Sequence, residues 1–173
     1  MAKTTFSGPV LSQNGVGFLG SITPGYTGLT VSTVGTSATL TYAANTITVN
    51  NFTGAAAQLV TLPAAKTGVV VVHAQSVDTT GGVNTLIFDC AGSDALATGS
   101  VVESRTTNAV SFDTSTAGET RLVYTPANAV TNLFSIGSKI FFSCTQDGIW
   151  TINYDFKMNP ASTGTTGTFT FAA

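Results

Sequence analysis

The stretch Lys139-Ile140-Phe141-Phe142-Ser143-Cys144-Thr145-Gln146-Asp147-Gly148-Ile149-Trp150-Thr151-Ile152-Asn153-Tyr154-Asp155-Phe156 decides the fold class. Two runs of β-branched and aromatic residues flank an Asp-Gly pair, which provides the positive backbone angles that a tight hairpin turn requires. The stretch predicts two antiparallel strands joined at residues 147 and 148.

Outward from this hairpin the same signals recur. Thr, Val, Ile and Phe gather in runs of strand length bounded by Gly, Asn, Asp and Pro, and helix signals are nearly absent. Gln58-Leu59-Val60-Thr61-Leu62 is closed by Pro63, which cannot donate to a central ladder. Val69 to Gln75 follows, and then, past Gly81-Gly82, Thr85-Leu86-Ile87-Phe88-Asp89-Cys90. Residues 38–43 and 46–52 alternate with a period of two around Ala44-Asn45 and read as a second hairpin with one face in a core. Residues 91–118 read as loops around short strands near Val101 and Ser111-Phe112. The predicted class is all-β: an antiparallel β-sandwich, jelly-roll-like, with an extended arm at each end.

The length fits one domain with a sizeable core. The first 36 residues carry seven glycines and two prolines and little alternation, so residues 1–36 read as an N-terminal arm. Residues 37–157 form the sandwich, and 158–173 a C-terminal tail with one short strand. Phe6, Phe18, Leu19, Tyr26, Phe169 and Phe171 are the side chains expected to anchor these arms as assembly contacts.

Charge is the outlying quantity. Only 8% of the residues are Asp, Glu, Lys or Arg, against about 25% in an ordinary soluble domain. Up to Ala65 the only charged side chain is Lys3. Interface cores are depleted of charge in the same way, and a mean hydropathy of +0.32 agrees with extensive burial. Thr, Ser, Asn and Gly offer the competing explanation, since their hydrogen-bonding groups keep a free monomer soluble. No run approaches the length of a membrane span. The opening residues have no apolar h-region, so synthesis in a cytoplasm is expected, with Cys90 and Cys144 reduced.

A search for chemistry yields little. His73, the single histidine, lies inside the valine run and reads as a core or interface histidine; a triad or metal site would need partners at suitable spacing. The acids Asp78, Asp89, Asp94, Glu103, Asp113, Glu119, Asp147 and Asp155 are dispersed, and no pair is singled out as the carboxylates of a glycosidase. No glycine pattern makes a phosphate loop. A net charge of −2 with six scattered basic residues gives no phosphate track. Trp150 reads as a core aromatic. The expectation is a protein that is not an enzyme, with no cofactor, no metal, and neither nucleic acid nor membrane as partner.

Two motifs carry a resemblance. Val60-Thr61-Leu62-Pro63-Ala64-Ala65-Lys66-Thr67-Gly68 resembles a segment of small β-rich virion proteins of tailed bacteriophages, in which a later hairpin resembles Asp147-Gly148-Ile149-Trp150-Thr151-Ile152. The opening Met1-Ala2-Lys3-Thr4-Thr5-Phe6-Ser7-Gly8-Pro9 looks like the start of marine phage structural proteins. The resemblance covers residues 37–156 and the first nine, and it has no catalytic residues to transfer. It implies a capsid decoration or cement protein, or a head-fibre or tail component, located in the virion. The expected partners are the major capsid protein and further copies of the chain in a homotrimer. The alternative is a tail or fibre protein that binds a host surface glycan.

Overall fold

The computed structural model describes residues 30–35, 37–53, 57–77, 85–106, 109–126, 136–157 and 167–173. The described residues form thirteen strands and no helix. In chain order these are β1 (Thr30–Gly35), β2 (Thr39–Thr41), β3 (Thr46–Asn50), β4 (Gln58–Thr61), β5 (Val70–Gln75), β6 (Leu86–Asp89) and β7 (Ala95–Leu96). There follow β8 (Val101–Thr106), β9 (Ala109–Thr114), β10 (Arg121–Thr125), β11 (Lys139–Gln146), β12 (Ile149–Asp155) and β13 (Thr168–Ala172). One sheet has the order β1-β3-β5-β11-β12-β7, a second the order β13-β10-β6-β4-β2, and β8 and β9 make a small third.

The Asp-Gly hairpin forms as its sequence predicts, with Gln146 opposite Ile149. Of the two turn residues Gly148 alone has positive φ. A register shift between Ser143 and Gln146 takes up the turn, as a bulge does.

The sheets are mixed rather than antiparallel throughout. Through the first seven strands the chain alternates between the sheets, and β1, β3 and β5 run parallel, as do β2, β4 and β6. This is a flattened parallel coil, so the all-antiparallel expectation is corrected, and the described strands do not establish a jelly-roll path. The hairpin expected over residues 38–43 and 46–52 is corrected with it. Both strands exist, but β2 pairs with β4 and β3 with β1 and β5. Asn45, with φ 57°, turns the chain from one sheet to the other. Period-two alternation shows that a strand has two unlike faces; it does not say which strand lies beside it. Residues 91–118 hold more strand than their weak periodicity suggests, in β7, β8 and β9.

The two large sheets pack face to face. Phe88 of β6 meets His73 of β5 edge-on at 4.9 Å between centroids and Phe142 of β11 at 5.1 Å. Val60, Leu86, Leu122 and Tyr124 from one sheet and Val71, Ile140, Phe142, Trp150 and Ile152 from the other share this core. Each large side chain buried there contributes about 1.5–3 kcal/mol relative to exposure. These are the two layers of a β-sandwich.

Two segments expected to be arms contain sandwich strands. β1 falls inside residues 1–36. β13, from the tail, pairs with β10 from Arg121↔Ala172 to Thr125↔Thr168. At its start, Gly167 has φ +113°, and an added Cβ would lie 2.8 Å from the Tyr124 ring and 2.9 Å from the Thr125 carbonyl. Only glycine fits there.

Candidate functional site

The chemistry-bearing side chains are committed to structure. His73 is fully buried. The Gln75 side-chain amide donates to the Val77 carbonyl at 2.8 Å, which leaves its Oε1 as acceptor. That oxygen accepts from Asn50 Nδ2 at 2.9 Å and from His73 Nε2 at 3.0 Å. His73 Nδ1 is therefore the acceptor for the Tyr42 hydroxyl, 2.5 Å away. Gln58 extends the chain by donating to Asn50 Oδ1 and to the Ser37 carbonyl, both at 3.0 Å. Desolvation lowers the His73 pKa to about 4, against a smaller opposing effect of its bond to Gln75. Desolvation likewise raises the Tyr42 hydroxyl well above its usual range. The site is neutral, and both groups serve the core.

The two motifs of the resemblance meet in space. The loop after Pro63 is held by two carboxylates from distant parts of the chain: Asp94 Oδ2 accepts from the Ala65 amide at 2.6 Å, and Asp147 Oδ1 accepts from the amide and hydroxyl of Thr67 at 2.8 and 2.9 Å. The Gly148 amide donates to the Ala65 carbonyl at 2.9 Å. Asp147 also faces Lys66 at 3.4 Å. The Thr67 bonds, ahead of Lys66, hold its carboxyl below the usual range. Leu62 and Trp150 lie buried in the shared core. This arrangement ties a loop to a hairpin.

Four of the remaining described acids act similarly. Asp89 pairs with Arg121 at 3.0 Å and Asp155 with Lys157 at 2.7 Å. Glu119 accepts from the Thr116 amide at 2.6 Å. Asp113 accepts from the Phe171 amide at 2.9 Å, so the β8–β9 pair caps the outer edge of β13. Among the described residues no group of three His, Cys, Asp or Glu side chains could hold a metal ion, and no helix is long and apolar enough to cross a membrane. Cys90 and Cys144 are free and buried, and burial foremost pushes the Cys90 thiol up to about 12.

Of the expected contact residues, Phe6, Phe18, Leu19 and Tyr26 lie outside the described residues. Phe169 and Phe171 are buried in the core of their own chain, where Phe169 stacks on Phe156 at 4.7 Å and meets the tilted Tyr124 ring at 4.6 Å. Among the described residues the large exposed apolar side chains are Val101, Val110 and Phe112, with Ile136 elsewhere. In the β8–β9 register Glu103 opposes Phe112, Val101 has the parity of Glu103 and Val110 that of Phe112, so the three apolar side chains project from one face together with Glu103. Val102, on the opposite face, is fully buried. The sequence signal for this face was Phe112 in a segment otherwise too polar and irregular to read.

Comparison with family models, curated proteins and solved structures finds no match for the chain.

Proposed function

We propose that the chain is a structural virion protein, a decoration or cement subunit that stabilises a phage head by binding across capsid subunits. Its partners in this reading are the major capsid protein and further copies of itself as a homotrimer. It is made in the host cytoplasm and catalyses no reaction.

The observation that carries the proposal is the outer face of β8–β9, where Phe112 keeps 63% of its surface in solvent beside Val101 and Val110. Apolar side chains grouped on a sheet face mark contact sites. A glycan-binding surface would draw on an accessible Trp150, and Trp150 is wholly buried, which favours the assembly reading over the fibre one.

Replacing Phe112 by Lys tests this face. The substitution removes no core contact, so the melting temperature should stay within a degree or two of the parent, a surface change of less than about 0.5 kcal/mol. Occupancy on purified virions, read by quantitative gel, should fall severalfold. Unchanged occupancy would remove this face from the proposal.

A further inference from the structure

The outer faces of the two large sheets differ. On the second sheet the outward positions include Thr39, Thr41, Thr61, Thr125, Thr168 and Thr170, with the Arg121–Asp89 pair across them and one apolar row, Leu59, Ile87 and Val123, in register through the middle. That face mixes charge, hydroxyls and apolar side chains. On the first sheet, β3 and β5 turn Thr46, Thr48, Asn50, Val71, His73 and Gln75 inward. Ile47, Val49, Val70, Val72 and Ala74 therefore point outward, joined in register by Phe141 of β11. Charge returns only at the end of the face, where Lys139 opposes Asp155. Parallel strands are normally covered on both faces, and this outer face is apolar along both β3 and β5. Val72 retains only 3% of its surface although it points away from the core, and none of these larger side chains is among the exposed ones.

We propose that this face is the docking site for residues 1–29 of the same chain. Three observations select that occupant. The segment ends at Thr30, where β1 begins, and β1 is in the same sheet. It carries one charged side chain, Lys3, and offers Val10, Leu11, Val16, Phe18, Leu19 and Ile22. Its 29 residues can reach up to about 95 Å, whereas the face begins within roughly 15 Å of β1.

Size argues against a second copy as the occupant. Three strands of five residues present roughly 250 Å², far below the about 800 Å² that each partner of a standard interface buries. A tethered segment needs less, because its effective concentration is high. The charge deficit of residues 1–29 then marks a segment hidden on its own subunit. This inference stands independently of the proposed virion role.

A photo-crosslinking p-benzoylphenylalanine in place of Phe141, in the full chain, tests it. The expected product has the mass of a monomer and joins position 141 to a peptide within residues 1–29. Adducts at dimer mass, adducts to residues 127–135, or the absence of any protein adduct would overturn the proposal. As a second readout, Phe141→Lys should speed chymotryptic cleavage after Phe18 and Tyr26 by about ten-fold or more, as release of a docked segment does; an unchanged rate counts against docking.

Discussion

His73 shows how much one side chain discloses and how much it conceals. Its place in a valine run read as a core or interface histidine, and in the structure it is buried in the core. Its partners Tyr42 and Gln75 come from another turn of the coil and from the next inward position of the same strand, Asn50 reaches it only through Gln75, and a lone sequence has no signal for such pairings. The network fixes the neutral form: Nε2 donates, Nδ1 accepts, and burial holds the pKa near 4. Because the folded value lies below the ordinary 6.5, the unfolded chain binds more protons between those limits. The stabilising contribution is complete above pH 6.5 and is lost as the pH falls through 4, a difference of at most about 3 kcal/mol. Urea unfolding at pH 7 and pH 4.5 should show this slope in the parent. In His73→Gln the slope should be shallower, with carboxylate titration alone remaining. Equal slopes in the two proteins would contradict the neutral-histidine account.

At the level of elements, positions were legible and partners were not. β4, β5, β6, β11 and β12 lie within a residue or two of where their runs predict, because β-branched and aromatic content marks a strand locally. The Asp147-Gly148 turn was legible for the same reason. The parallel coil was not, since Ala44-Asn45 could equally close a hairpin or carry the chain between sheets. Nor was the fastening of the loop after Pro63, which depends on acids about 30 and 80 positions further along. Asp94→Ala should cost about 1–3 kcal/mol, the loss of a charge-assisted bond that leaves the Ala65 amide unpaired. Asp147→Ala should cost less, because its carboxylate is exposed and screened. Denaturation midpoints that reversed this order would show that the loop is held from the turn instead.

Across the whole molecule, the sparse charge is allocated to edges, loops and one sheet face. Arg121–Asp89 lies on the outer face of the second sheet, Asp113 closes the edge at β13, and Asp94 and Asp147 hold the loop. What remains uncharged among the described residues is the sandwich core and the part of the first sheet's outer face made by β3 and β5, while on β8–β9 the exposed apolar side chains have Glu103 beside them. Composition alone showed a chain unusually poor in charge, for which cover and a surface of hydroxyl and amide groups are competing explanations. It did not separate cover supplied by the chain itself from cover supplied by neighbours, a distinction that rests on which face each strand turns outward. In our account the first sheet is covered from within and β8–β9 from outside, by a capsid. Quantitative mass spectrometry of purified virions tests that claim most directly. A subunit that repeats with the symmetry of a head should be present at on the order of hundreds of copies per particle, and a dozen or fewer, or none, would contradict it.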